Sequence, residues 1–254
     1  MKITLLGTGT SQGVPVIACK CETCLSSDLK DKRLRSSVLI EVMGKKIVID
    51  TGPDFRQQML SNDVDELDAI LFTHEHKDHI AGLDDVRAFN HKWKRDMEVY
   101  ASKRVQDALR REFHYVFSGD NYPGIPSINL NTIDNSSFFI DHIEVIPIEV
   151  LHYKLPVFGF RIDNFAYLTD VSMIPEKEKE KMYGLDLLII DALRKKEHIS
   201  HFNLDQALSF IDEINPKESL LTHISHYMGN HNDLASELPD NINPGYDGQI
   251  ILLD

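Results

Sequence analysis

The chain has 254 residues, 42% of them hydrophobic, and its 40 acidic against 27 basic side chains give a net charge of −13 at neutral pH. This length suits one enzyme domain with its own core, which we predict to span residues 1–254. The acidic balance argues against a general nucleic-acid binder. No apolar run approaches the length of a membrane span and the start does not read as a signal peptide, so we expect a cytoplasmic protein without membrane contact.

Strands and helices alternate along the chain without a linker rich in proline, glycine or serine. Hydrophobic periodicity predicts strands at 2–6, 37–42, 46–50, 68–73, 97–100, 143–150, 157–162, 165–169, 186–191, 218–222 and 249–253. It predicts helices at 54–60, 83–90, 102–113, 176–182 and 203–214. Asn203 and Gln206 have the spacing of a capping box at the start of the last helix. The turn-rich segment 118–126 is predicted to form a loop on the substrate side of the site.

All three cysteines fall within six residues, at Cys19, Cys21 and Cys24. An odd and crowded set of this kind cannot build an intramolecular disulfide framework. Three thiolates at this spacing suit a closed structural zinc site, which commonly takes a histidine as fourth ligand. His226 is the predicted histidine, and three ordinary reduced thiols are the alternative.

Residues 74–79 read His-Glu-His-Lys-Asp-His and follow the apolar strand predicted at 68–73. In an extended segment His74 and His76 point to the same side and can bind one cation. Asp78 and His79 follow across a tight turn and can bind a second. Imidazole and carboxylate ligands of this kind suit zinc and its first-row neighbours. The H-E-x-x-H motif of zinc proteases is absent because residue 78 is aspartate; a solvated polar turn is the alternative.

Two cations need more than four ligands, and three later strands run into further candidates: His152, Asp170 and His223. Each residue alone is a weak signal, but their common position after strand ends is a stronger one. His201 lies just before the helix predicted at 203–214, and His198 competes with it for any role at this position. Asp50 follows the strand predicted at 46–50.

Together these motifs resemble the metallo-β-lactamase superfamily, whose signature H-x-H-x-D-H is matched by His74, His76, Asp78 and His79. The resemblance implies an α/β (α+β) fold, a four-layer αββα sandwich with a binuclear site. It implies one metal held by His74, His76 and His152, a second held by Asp78, His79 and His223, and Asp170 bridging the two. The metals would be divalent transition metals, zinc or manganese, with iron as a third option. Asp50 resembles the aspartate that orients a ligand imidazole without touching metal.

Asp170 stands where zinc β-lactamases typically have cysteine, which argues against β-lactam hydrolysis. The cysteine cluster resembles that of the bacterial phosphoribosyl cyclic phosphodiesterase family (PhnP-like), in which a Cys3His zinc joins the N-terminal loop to the C-terminal histidine segment. This resemblance implies a binuclear metal-dependent hydrolase acting on a small phosphodiester, such as a sugar or nucleoside cyclic phosphate. A hydroxide bound between the two metals would attack, with Asp78 and Asp170 in the catalytic centre and His201 as general acid.

Other activities remain open on the same fold. An RNase Z-like tRNA 3′-endonuclease shares the ligands, but the acidic chain shows no basic arm for gripping tRNA. A thioester hydrolase or a di-iron redox protein also fits the ligands. A homodimer is compatible with the family.

Overall fold

The computed structural model describes residues 1–119 and 124–253. Its strands are β1 (Lys2–Gly7), β2 (Ser37–Val42), β3 (Lys45–Ile49), β4 (Ala69–Leu71), β5 (Met97–Ala101), β6 (Ile128–Thr132), β7 (Phe138–Ile140), β8 (Ile143–His152), β9 (Leu155–Ile162), β10 (Phe165–Leu168), β11 (Leu187–Asp191), β12 (Glu218–Thr222), β13 (Ile242–Pro244) and β14 (Ile250–Leu252). Its α-helices are α1 (Glu22–Leu25), α2 (Phe55–Ser61), α3 (Lys77–Ile80), α4 (Arg87–Trp93), α5 (Lys103–Glu112), α6 (His114–Phe117), α7 (Glu176–Lys179), α8 (Leu204–Ile214) and α9 (His231–Glu237). Short 3-10 turns occupy Leu29–Asp31, Leu83–Val86, Glu180–Met182 and His226–Met228. Residues 120–123 of the predicted substrate-side loop lie outside the described residues.

Backbone contacts group the chain into two compact units. The first unit consists of Met1–Leu6, Ser37–Asp134 and Ile250–Asp254, and the second of Gly7–Ser36 and Asn135–Gln249. The single hydrolase domain predicted for residues 1–254 stays a prediction.

The first unit contains a mixed sheet with the strand order β14-β1-β2-β3-β4-β5-β6. Strands β3, β4, β5 and β6 run parallel. The aliphatic residues of β3, β4 and β5 are buried because a parallel sheet is covered on both faces, whereas those of the edge strand β6 are partly buried. Ile49 at the end of β3 lies opposite Leu71 at the end of β4. The residues that follow, Asp50 and Thr73, therefore leave the sheet at the same edge, where polar groups of α/β sheets commonly form sites.

The second unit contains a mixed sheet with the order β13-β12-β11-β10-β9-β8-β7. Strands β10, β11 and β12 are parallel, with Leu168 opposite Ile190 and Asp191 opposite Thr222. Asp170, Asp191 and His223 consequently emerge side by side at one edge. Strand β8 extends two residues beyond the predicted 143–150, so His152 is the last residue of the strand and not a residue of the following loop.

Most predicted elements are confirmed to within two residues, and the capping box is present at α8. The Asn203 side chain accepts from the backbone N–H of Gln206, and the Gln206 side chain accepts from that of Asn203. Strands β6, β7 and β13 were not predicted because they are short and polar residues or proline interrupt their apolar pattern. Across residues 1–119 and 124–253, no helix is long and apolar enough to cross a membrane.

Candidate functional site

In the first unit, the candidate ligands of the 74–79 motif form two pairs of neighbouring side chains. The Nε2 atom of His74 lies 3.0 Å from Nδ1 of His76, and the Nε2 atom of His79 lies 3.1 Å from a carboxylate oxygen of Asp78. His76 is the N-cap of α3, so Asp78 and His79 occupy the first helical turn. This short helix replaces the tight turn expected from the sequence and folds the motif back on itself.

Asp50 determines which ring nitrogen of His79, and through Thr73 which ring nitrogen of His74, carries the proton. Its carboxylate accepts hydrogen bonds from Nδ1 of His79 at 2.7 Å, from Oγ1 of Thr73 at 2.7 Å and from the Thr73 N–H at 2.9 Å. Since a carboxylate only accepts, His79 carries its proton on Nδ1 and has a lone pair on Nε2. Thr73 gives its hydrogen to Asp50 and therefore accepts from Nδ1 of His74, at 3.0 Å, which leaves the His74 lone pair on Nε2 as well.

Burial of Asp50 raises the pKa of its carboxyl group, and the neighbouring His79 opposes that rise. The Nε2 lone pair of His74 faces Nδ1 of His76 at 3.0 Å, so a proton on Nδ1 or a cation bound to both nitrogens satisfies this pair. The donor chemistry therefore fits a transition metal, because neutral imidazole nitrogens with an oriented second nitrogen are its usual ligands.

The second unit gathers His152, Asp170 and His201, whose ligand atoms lie within 4.8 Å of one another. His152 donates from Nδ1 to the Ser200 carbonyl at 2.8 Å, which leaves its Nε2 lone pair 3.9 Å from Asp170 Oδ1. Because a carbonyl cannot donate, this tautomer is fixed.

His223 lies beside the same carboxylate, with Nδ1 3.4 Å from Asp170 Oδ2. Its Nδ1 is also 3.2 Å from the hydroxyls of Ser36 and Thr169. Each hydroxyl donates its own hydrogen elsewhere, Ser36 to the Gly9 carbonyl and Thr169 to Asp170. Both hydroxyls therefore accept from His223, and the lone pair of this imidazole is on Nε2.

His201 stacks on His223, with ring centroids 4.9 Å apart, and its Nδ1 lies 3.4 Å from Oδ2 of Asp191. Asp191 is fully buried and its other oxygen accepts from the Val171 N–H at 2.8 Å. Burial raises the pKa of Asp191 well above its usual value, with Asp170 adding to the rise and His223 opposing it. The sequence reasoning missed Asp191, although it ends a predicted strand just as Asp170 follows one.

Three residues of this chemistry have backbone torsions that non-glycine residues rarely adopt. The φ angles of Asp50, Asp170 and His223 are 63°, 60° and 56°. Such left-handed conformations cost about 1–3 kcal/mol each and persist where surrounding contacts hold them, commonly at functional sites. The backbone of Thr8 and Thr10 contributes one such contact, because it hydrogen-bonds to Ile224, next to His223.

The cysteine cluster lies entirely within the second unit. Nδ1 of His226 is 3.2, 3.4 and 3.5 Å from the sulfurs of Cys19, Cys21 and Cys24. The hydrogen bond from the Cys24 backbone lowers the pKa of Cys21 to about 6, whereas burial raises the pKa of Cys24 to about 11. Three sulfurs converging on one imidazole nitrogen fit a tetrahedral metal site, since a cation would stabilise all the thiolates together.

A second buried polar cluster ties the same N-terminal segment to the C-terminal one. Arg33 donates to Thr8 Oγ1 at 2.8 Å, and Asp247 accepts from the Thr8 N–H at 2.9 Å. His231 donates its backbone N–H to Asp31 at 2.7 Å and lies with Nδ1 3.4 Å from an Arg33 guanidinium nitrogen. Burial, with a further contribution from Arg33, lowers the pKa of His231 to about 4. The segment is thus held at two independent places.

Comparison with known proteins agrees with the predicted fold and family. Residues 45–224 match the family described as the beta-lactamase superfamily domain, so the chain belongs to the metallo-β-lactamase superfamily and has its αββα sandwich fold, as predicted. The crystal structure of a new diphosphatase from the PhnP family is 37% identical, with a TM-score of 0.93, over 100% of this chain and 98% of that one. The chain accordingly belongs to the PhnP family within the superfamily.

Two further proteins are similar to this chain. An octanoyltransferase of Porphyromonas gingivalis is 43% identical over 257 residues, which are 100% of this chain and 52% of that protein. The chain thus spans about half the length of this curated relative. Zn²⁺-bound PqqB from Methylobacterium extorquens has a TM-score of 0.83 at 17% identity over 100% of both chains, which shows the shared fold.

The chain therefore has the metallo-β-lactamase fold, groups of histidines and aspartates suited to metal ions, and a Cys3His cluster suited to a further metal. The predicted fold and family are confirmed. Individual ligand roles, the metals and the substrate stay proposals.

Proposed function

We propose that the protein hydrolyses a small phosphodiester with the help of two divalent transition metals. One would be held by His74, His76 and His152, the other by Asp78, His79 and His223, with Asp170 shared. The lone pairs of four imidazoles, those of His74, His79, His152 and His223, support this, because hydrogen-bond partners within each unit fix their tautomers. When bound, the metals would supply positive charge and lower the pKa of water so that it can attack near neutral pH.

The observation that carries hydrolysis, as opposed to metal binding alone, is the position of His201. Its Nδ1 lies 3.4 Å from an oxygen of the buried Asp191 carboxyl group, which places Asp191 where it can position the ring once a proton is shared between the two groups. His201 then donates from Nε2 to the oxygen that leaves phosphorus, while Asp191 acts through His201 and does not touch the substrate. A positioned acid of this kind typically contributes about 10²–10⁴ in rate.

A phosphorus substrate is supported by the diphosphatase relative, whose chain is matched almost in full. The octanoyl transfer named for the Porphyromonas protein belongs, we propose, to the half that this chain does not match. All three thiols of this chain face His226, so no cysteine remains to carry an acyl group. We further propose zinc in the Cys3His cluster, in keeping with its ligand set.

The test is hydrolysis of bis(p-nitrophenyl) phosphate and of nucleoside 2′,3′-cyclic phosphates by protein loaded with zinc, manganese or iron. Asp170→Ala and His76→Ala should abolish turnover, whereas His142→Ala, at an exposed turn, should leave it unchanged. Precursor tRNA and a thioester serve as competing substrates. Cleavage of either in preference to the phosphodiesters, or normal turnover by both active-site variants, would overturn the proposal.

A further inference from the structure

His198 lies beside the proposed acid and has no role in the chemistry described so far. Its ring centroid is 5.2 Å from that of His201, and the side chain is only partly buried. It lies in the loop between β11 and α8, three residues before His201. Both histidines precede a helix, so the sequence alone leaves either of them as the acid.

Ser200 distinguishes the two imidazoles. Its backbone N–H points at Nδ1 of His198 at 3.4 Å, and its hydroxyl lies 3.2 Å from the same nitrogen. A backbone N–H can only donate, so Nδ1 of His198 is an acceptor and the ring proton is on Nε2. The carbonyl of Ser200 meanwhile accepts from His152. One residue therefore fixes both a proposed metal ligand and His198.

The charge surroundings of the two rings also differ. His201 faces carboxylate oxygens of Asp191 at 3.4 Å and of Asp170 at 3.9 Å. His198 has a lowered pKa, first through burial and then through the nearby charges of His201 and Arg194. Arg194 itself is turned to the loop, donating to the carbonyls of residues 196 and 197. A neutral ring with a proton on Nε2 is a hydrogen-bond donor and a poor source of a proton.

We propose that His198 is a substrate-binding residue, whose Nε2–H donates to a phosphoryl oxygen of the bound phosphate ester, and that His201 alone is the acid. This rests on the proposed function. The bond to an anionic oxygen forms in the ground state as well as in the transition state. Loss of His198 should therefore raise KM more than it lowers kcat.

Kinetics on two phosphodiesters separates binding from acid catalysis, because p-nitrophenolate leaves without protonation and an alkoxide does not. On metal-loaded enzyme, His198→Ala should raise KM about tenfold or more on both bis(p-nitrophenyl) phosphate and a nucleoside 2′,3′-cyclic phosphate. His198→Gln places an amide N–H near the former Nε2 and should recover most of the affinity. His201→Ala should lower kcat mainly on the cyclic phosphate. Ser200→Ala, which keeps the backbone contacts, should show a smaller KM effect.

Binding of inorganic phosphate to the metal-loaded protein gives a reading that needs no turnover. His198→Ala should weaken phosphate binding about tenfold and His198→Gln should restore it, and nitrogen NMR should find the Nε2–H tautomer at neutral pH. If wild type turns over neither diester, the proposed function fails, and the phosphate titration still decides the role of His198. A kcat loss of His198→Ala confined to the cyclic phosphate, or unchanged phosphate affinity, would overturn the inference.

Discussion

Replacing Asp50 with asparagine should weaken metal binding through a change in histidine tautomer. The carboxylate accepts from His79 and from two groups of Thr73, but an amide has only one acceptor oxygen. If its NH₂ faces His79, that ring must accept on Nδ1 and place its proton on Nε2, where the metal lone pair should be. Loss of such an orienting partner typically lowers metal affinity by about 10- to 100-fold, equivalent to about 1.4–2.7 kcal/mol.

Zinc affinity is measured by competition with a chromophoric chelator, and folding stability by urea unfolding of the same samples. The matched control is Asp63→Asn, because Asp63 is an exposed aspartate of the same unit and also has a positive φ, 50°. Asp63→Asn should bind zinc as wild type does. Equal zinc affinity for Asp50→Asn and wild type would show that Asp50 does not govern the His79 tautomer.

Three further predictions concern the framework of the site. Gly82→Ala should lower the free energy of unfolding by about 1–3 kcal/mol or more, since its Cβ would lie 2.2 Å from the Gly52 carbonyl oxygen and 2.7 Å from Phe55 Cβ. The control, Ala81→Ser at the exposed neighbouring position, should change the stability in urea little. A Gly82→Ala variant as stable as wild type would contradict the steric argument. Cys24→Ser should reduce bound zinc by one ion per chain and lower Tm, and a chelator selective for that site should lower the Tm of wild type but not of the variant. In the folded chain the pKa of His231 is lowered to about 4. Its contribution to folding stability is therefore fully present above the unfolded pKa near 6.5 and is lost as pH falls towards 4, at a cost of up to about 3 kcal/mol. His231→Gln should remove this part of the acid sensitivity in urea titrations at pH 7 and pH 4.5, and identical pH slopes for the two proteins would refute it.

The chemistry of the site could be read from short stretches because metal ligands tend to cluster in sequence. His74, His76, Asp78 and His79 lie within six residues, as do the three cysteines, and each group predicts its own ligand set. All strands of the two sheets except β6, β7 and β13 were also predicted, since their aliphatic runs are dictated by burial. The short helix α3 was not, because the ligand motif itself forms it and has no hydrophobic period.

The position of Asp191 beside His201 could not be predicted from separate segments of the sequence. Nothing near it in sequence pairs it with His201; the parallel register of β10, β11 and β12 brings Asp191 beside Asp170 and His223. The roles of His198 and His201 also looked alike in sequence. They diverge because Ser200 donates to one ring and a buried carboxylate faces the other.

Residue identity and spacing alone indicated which side chains are suited to metal ions, which class of ligands they form and which family the chain resembles. Proton positions were decided only by the tertiary structure. A histidine has two nitrogens of nearly equal basicity, and which one carries the proton depends on the partner that folding places against it. Asp50, Ser200, Ser36 and Thr169 are such partners, and each is distant in sequence from at least one histidine that it orients.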